Sequence, residues 1–418
     1  MATRPAADKK TAADQGFDSA RLTRIRDWMQ RYVDQRKIPG GSVLIRRHGH
    51  EVFYAEAGLR SVENGTPFQR DTIVRIYSMT KPIVTVALMD FVARGAVHLD
   101  LPLADLLPEF SKMEALVPGA TRLDQTEPAA PIRLHHLLTH TSGMTYGFSE
   151  GLVPAEMVRR GLKFTPTNGN LADVTAQLAT LPLVFQPGDH WEYSVSIDVI
   201  GRVLEVLAGK TLDQVLRDIV LDPLAMQDTG FAVKDADLGR FASLYTPLDG
   251  DPFGFGNAPS GDPLKLFDDA EGSPFRNTSL FGGGGGLVGT IDDYSRFCEM
   301  LRCRGVLDGR QVLAPRIVDY MMRNHLPGDI ASMATTGLAE LPFAGSGFGL
   351  GGAVILEPAL TRMPGSVGDF SWGGIGSTYF WVDPVLDMSV VFFTQLSPSS
   401  IYPLRQELKA LVHGALTD

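Results

Sequence analysis

Apolar residues recur at helical spacing soon after a polar start. Leu22, Ile25, Met29 and Val33 fall on one side of a helix that Asp18 or Ser19 can cap and that Pro39-Gly40 ends. Residues 1–16 read as a disordered lead-in. β-Branched and aromatic residues then crowd 42–47 and 51–57 on either side of His48-Gly49-His50, which predicts a hairpin. A helix over 78–94 follows, with Val84, Leu88, Phe91 and Val92 on one side, Pro82 in its first turn and Gly95 as its stop.

From about residue 100 to 324, Pro-Gly, Gly-rich and Asp-Pro punctuation predicts short helices and long loops. The clearest helices are 195–208, stopped by Gly209, and 291–304, opened by a Thr290/Asp293 capping-box pattern. Strand character returns at 348–356, 377–382 and 388–395, the last two joined across Asp383-Pro384, and 403–416 reads as a terminal helix. Strands at both ends of the chain around a helical middle predict an α+β fold. In this reading 1–100 and 325–418 build an antiparallel sheet flanked by N- and C-terminal helices, and 101–324 form an inserted, mostly helical domain.

Composition narrows the function classes. With 38 Lys+Arg against 48 Asp+Glu the net charge is −10, and no local basic run offsets it, so a nucleic-acid partner is not expected. The 44% hydrophobic and 21% charged content is that of a globular chain able to build a large core. No apolar stretch is long enough for a membrane span, and no secretory signal is visible, so a cytoplasmic location is expected. Cys298 and Cys303 cannot form a disulfide framework and read as reduced thiols.

The sharpest chemical signal is Ser78-Met79-Thr80-Lys81, which no other Ser-x-x-Lys repeats. A serine hydroxyl is a weak nucleophile without a base in hydrogen-bond reach, and a spacing of three puts both side chains on one helix face. A lysine out of water surrenders its proton more readily, and a helix N-terminus favours developing negative charge. The competing reading is a capping serine with a solvated lysine, but this helix is otherwise hydrophobic. The Gly-x-Ser-x-Gly elbow of α/β-hydrolases is absent, so a serine hydrolase here has to use Ser78.

Three motifs in order, Ser78-Met79-Thr80-Lys81, Tyr193-Ser194-Val195 and Trp372-Gly373-Gly374, resemble those of the serine β-lactamase and penicillin-binding-protein superfamily. Within it the chain resembles class C β-lactamases and above all family VIII carboxylesterases. Supporting segments are His136-Leu137-Leu138-Thr139-His140-Thr141-Ser142-Gly143 and Gly285-Gly286-Leu287-Val288-Gly289-Thr290, and the likeness spans about 20–415. It implies a β-lactamase-like fold, Ser78 as acylated nucleophile, Lys81 as its partner and Tyr193 as general base, its phenolate favoured by the neighbouring cation. Which of Lys81 and Tyr193 takes the proton first stays open. The resemblance also implies an oxyanion hole at the backbone N–H of Ser78 and Ile375, with Trp372, Gly373, Gly374, Tyr146 and Phe148 against the substrate. For Tyr146 and Phe148 a packing role is equally consistent.

Two departures from the lactamase pattern bear on substrate. Val195 stands where class C enzymes carry an asparagine, and Trp372-Gly373-Gly374 stands for Lys-Thr-Gly, removing a cation and a hydroxyl that would hold a substrate carboxylate. An anionic lactam loses a contact worth about 1.5–3 kcal/mol, whereas a neutral ester loses nothing. The expectation is a carboxylesterase acting on small short-acyl esters, without cofactor or metal. The alternatives are a β-lactamase, a D-amino-acid peptidase or an acyltransferase of the same superfamily, and further off a non-catalytic binding module. His135, His136 and His140 lack a completing carboxylate or cysteine for zinc, and 282–286 lacks the Gly-Lys-Ser/Thr of a phosphate loop.

Overall fold

The computed structural model describes residues 11–250, 253, 258–335 and 342–418. Residues 1–10 of the expected lead-in lie outside these, but 11–16 are not disordered. Ala13–Gln15 form a 3-10 turn, and buried Gln15 accepts Arg47 Nη1 at its carbonyl at 2.9 Å and faces His48 Nδ1 at 2.9 Å. Helix α1 (Ser19–Asp34) begins where Asp18 accepts the N–H groups of Ala20 and Arg21 at 2.8 and 3.1 Å, satisfying two donors that the helix itself cannot. Leu22, Ile25 and Met29 are buried with Trp28 and Tyr32, while Val33 is only half-buried.

Strands β1 (Gly40–Arg47) and β2 (His50–Ser61) close on a two-residue loop, His48-Gly49, with φ of 51° and 80°. Two left-handed residues give the turn whose twist matches that of a hairpin. Six more strands complete the sheet: β3 (Thr66–Pro67), β4 (Ser346–Phe348), β5 (Ala353–Ile355), β6 (Phe370–Gly373), β7 (Tyr379–Asp383) and β8 (Met388–Thr394). The order is β4-β5-β6-β7-β8-β1-β2-β3, antiparallel throughout, and the register Gly41↔Thr394 to Arg47↔Met388 joins the two ends of the chain at its centre. Two expectations change. The 348–356 run is two strands folded back on each other, because the glycines at 349, 351 and 352 break it, and β6 is a further strand outside the three β-rich runs read above.

Helix α2 (Thr80–Ala93) has no single apolar face. Its first ten residues are all buried, whereas Phe91 and Val92 are half-buried. A helix buried all round sits inside the protein, and α2 packs against α3 (Ser196–Ala208) and the helical turns at 212–221. Helix α3 ends on Gly209 in the left-handed conformation, and α4 (Ile291–Arg302) is capped by Thr290, both as expected. Helix α4 lies on the sheet, with Tyr294 against Phe380 and Phe393. On the other face, α1 and α5 (Leu404–Gly414) cover Trp381, Val390 and Phe392. With both faces covered, every residue of β8 is buried, and 390–393 form an uninterrupted apolar run rather than an alternation.

A buried ion pair pins α5 to the sheet. Lys409 Nζ meets Asp369 Oδ2 with both side chains out of water, and Lys409 also lies 5.3 Å from the Trp381 ring centre. Removing one member leaves an uncompensated buried charge. Lys409→Ala should therefore cost about 3–5 kcal/mol in urea denaturation, and the apolar double replacement Lys409→Met with Asp369→Leu far less. Equal losses in the two variants would contradict this account.

Candidate active site

Ser78 stands in a 3-10 turn, Tyr77–Met79, that feeds directly into α2, one step earlier than the helix start expected from the sequence. Its side chain is half-buried, while Lys81, on the first turn of α2, is fully buried. Lys81 Nζ donates to Ser78 Oγ at 3.1 Å and to the Gly284 carbonyl at 2.6 Å, and Tyr193 OH donates to Ser78 Oγ at 2.7 Å. Three groups separated by up to 115 residues thus meet at one oxygen. The ammonium also lies 4.6 Å from the Tyr193 ring centre and 5.4 Å from that of Tyr146, close enough for cation–π attraction to offset lost hydration.

His140 places Tyr193. The backbone N–H of Glu192 donates to the His140 carbonyl at 2.9 Å, that of Ser194 donates to His140 Nδ1 at 3.2 Å, and the two rings are 4.9 Å apart. Burial, and secondarily the Lys81 charge, pushes the imidazole well below its ordinary value, so it stays neutral and adds no second cation. Trp191, Phe348 and Trp372 complete the apolar wall, with Trp372 5.4 Å from Tyr193 and from Phe348. His140 thus lies apart from His135 and His136. His135 faces His325 at 5.6 Å, and His136 Nδ1 accepts the Arg133 N–H at 3.2 Å. Among the described residues no cluster of three or more His, Cys, Asp or Glu could hold a metal ion.

Two elements of the site were not read from the sequence. Asp198, on the first turn of α3, is buried and accepts the Gly284 N–H at 2.7 Å and the Tyr146 hydroxyl at 3.4 Å. The glycine run at 282–286 therefore packs beneath the lysine, and its Gly284 carbonyl is one of the lysine's acceptors. Tyr146 is more than a rim residue: it stacks on Phe148 at 4.6 Å, lies 5.3 Å from Tyr193, and burial pushes its phenol well above the ordinary value.

Trp372, Gly373 and Gly374 lie at the end of β6, which packs on the Ser78 turn. A Cβ on Gly374 would stand 2.4 Å from the Ile76 carbonyl, so only glycine allows this approach, and it brings half-buried Ile375 beside the turn that carries Ser78. Alternation along β6 sends Trp372 towards Tyr193 and Gly373 to the opposite face, where a Cβ would meet Arg405 Nη2 at 2.3 Å. The Arg405 guanidinium near this strand is therefore on the far side of the sheet from Tyr193. A polarised hydroxyl, a cation, a phenol and closely packed backbone form an arrangement suited to nucleophilic attack on a carbonyl.

Comparison with known proteins agrees with the motifs. The Beta-lactamase family matches residues 25–413. Protein Rv1367c of Mycobacterium tuberculosis (strain ATCC 25618 / H37Rv) is 39% identical over 350 residues, 82% of each chain. Esterase EstB of Burkholderia gladioli is 32% identical over 393 residues, 90% of each chain. Among solved structures, EstCE1, described as a hydrolase with promiscuous acyltransferase activity, superposes with a TM-score of 0.76 at 30% identity, covering 96% of this chain and 99% of its own.

The close approach at Gly374 yields a test. Gly374→Ala should push the turn off Ile76 and slow covalent labelling of Ser78 by a fluorophosphonate by about a hundredfold, the usual order for an ångström-scale misplacement. Labelling at the unmutated rate would show that the spacing does not matter.

Proposed function

The chain belongs to the Beta-lactamase family, is a serine hydrolase of that superfamily, and we propose that it is a carboxylesterase acting on small, neutral, short-acyl esters. The observation that carries this reading is the convergence of Lys81 Nζ and Tyr193 OH on Ser78 Oγ at 3.1 and 2.7 Å. The Lys81–Tyr193 pair takes the Ser78 proton as Oγ attacks the ester carbonyl, and the C–O bond to the alcohol breaks as the alcohol leaves with that proton. Water then attacks the carbonyl of the Ser78 acyl-enzyme, giving a proton to the same pair, which returns it to Ser78 Oγ as the bond from the acyl carbon to Oγ breaks and the acid leaves. The backbone N–H groups of Ser78 and Ile375 hold the oxyanion, a contribution of about two to three decades in rate. Trp372 and Phe148 bound the acyl and alcohol groups.

An ester is favoured over an anionic lactam because Trp372 takes the place of a lysine and Arg405 faces away across β6. Acyl transfer to an alcohol other than water is the second reading, supported by the description of EstCE1. It uses the same acyl-enzyme with a different acceptor. We also propose the two-domain division, 1–100 with 325–418 and 101–324. Ser78, Lys81 and Trp372 come from the first and Tyr193, Asp198 and Gly284 from the second, which supports a site at their boundary.

Ser78→Ala should abolish hydrolysis of p-nitrophenyl butyrate, and intact-mass analysis with peptide mapping of the unmutated protein should find the butyryl group on Ser78. The ester should be turned over much faster than a chromogenic cephalosporin. Retained turnover in Ser78→Ala refutes the nucleophile, and a preference for the cephalosporin refutes the substrate class.

A further inference from the structure

We propose that Asp198 is a positioning residue for the reactive group: its carboxylate fixes Gly284 so that the Gly284 carbonyl receives the Lys81 ammonium, and its negative charge answers that of the ammonium across this residue. The proposal rests on the roles given above to Ser78, Lys81 and Tyr193.

The geometry is that of one residue held between two opposite charges. The Gly284 N–H donates to Asp198 Oδ1 at 2.7 Å, and the Gly284 carbonyl accepts Lys81 Nζ at 2.6 Å. Backbone groups arranged this way point the positive end of one dipole at the carboxylate and the negative end of another at the ammonium. No side chain fits at 284, since a Cβ would stand 2.3 Å from Asp198 Oδ2 and 2.8 Å from Tyr146 Oη. The groups facing Asp198 are Lys81 from α2, the Tyr146 hydroxyl at 3.4 Å with Tyr193 beyond it at 5.3 Å, and the glycine run at 282 and 284. An acidic residue in the first turn of a helix ordinarily sits in water and answers the helix dipole. This one is turned inward and only 1% exposed, where a carboxylate is costly unless a charge or hydrogen bonds answer it. Burial raises its carboxyl to about 6, while Lys81, the Gly284 N–H and the Tyr146 hydroxyl hold it down, so it is ionised at neutral pH and takes a proton as pH falls through about 6.

Asp198→Asn keeps an oxygen for the Gly284 N–H and removes the charge. Its fold, followed by thermal unfolding, should persist. kcat for p-nitrophenyl butyrate should drop about tenfold or more with KM within about twofold. The alkaline limb of the kcat/KM profile should move to lower pH by about one unit or more, because the ammonium has lost its counter-charge. A purely structural role would not move that limb, and a profile coincident with that of the unmutated protein overturns the proposal. Should Asp198→Asn fail to fold, Tyr146→Phe removes only one hydrogen bond to the carboxylate. The acidic limb should then move to higher pH, and an unchanged limb overturns the proposal. Ser78→Ala separates the two levels: turnover surviving that change defeats the catalytic reading itself, whereas a dead Ser78→Ala with an unmoved Asp198→Asn profile defeats only the role of Asp198.

Discussion

A lysine ammonium kept out of water constrains everything around it. Taking such an ion from solvent costs on the order of several kcal/mol, and the protein must supply fixed acceptors in return. Lys81 receives the Gly284 carbonyl, the Ser78 hydroxyl and two aromatic faces. Each of these makes a demand of its own. The carbonyl requires a chain segment without side chains, hence the glycine run; the hydroxyl requires a turn that ends before the helix proper begins; the aromatic faces require Tyr193 and Tyr146 to be clamped by their neighbours. Neutral His140 belongs to the same logic, since an imidazolium packed on Tyr193 would add a second unanswered cation.

The sheet explains why the two ends of the chain can serve one site. Strand β8 pairs with β1 along seven residues, so the C-terminal strands and the N-terminal hairpin form a single frame, and β6 from that frame rests on the Ser78 turn. The turn is tied to the frame from behind as well. Arg75, three residues before Ser78 and fully buried, donates to the Ala242 carbonyl at 2.6 Å and to Asp268 at 2.8 Å, while Gln395, just after β8, accepts its N–H at 3.0 Å and donates to its carbonyl at 3.1 Å.

What the sequence disclosed followed from where patterns are local. The hairpin could be read from its turn and α5 from its apolar spacing, while α1 and α4 begin on recognisable caps, Asp18 and Thr290, and α3 ends on one, Gly209. Helix α2 misled because complete burial erases periodicity: an apolar run with one lysine does not say that all sides are covered. Strand β6 was missed because four residues ending in Trp372-Gly373 carry little strand signal, and β4 and β5 merged because apolar residues continue up to the glycines that divide them. The motifs single out Ser78, Lys81 and Tyr193, which the fold brings together in space. They do not single out Asp198, since an acid in a first helical turn is what a helix start ordinarily shows, and only tertiary packing reveals that it points inward at Gly284. His140 stood out in the sequence as one of three neighbouring histidines weighed for zinc, whereas its place in the fold is against the Tyr193 ring.

The Ser78 turn also carries strain, and the strain has a geometric consequence. Tyr77 has φ of 44°, a left-handed conformation that costs a non-glycine residue about 1–2 kcal/mol. Such a residue persists only where its surroundings hold it. The Tyr77 ring stands edge-on to Phe253 and Phe275, each at 5.8 Å, and the backbone turn at 374–376 packs against it, with a Cβ on Gly376 reaching 3.2 Å from the ring. This left-handed residue stands between the short strand Val74–Arg75 and Ser78, which lies in the 3-10 turn ahead of α2. Its hydroxyl is thereby set one helical turn from Lys81 and across from Tyr193, in reach of both at once. A relaxed entry would leave Ser78 free to choose between those partners, whereas the held left-handed residue fixes the angle at which its hydroxyl meets both Lys81 and Tyr193.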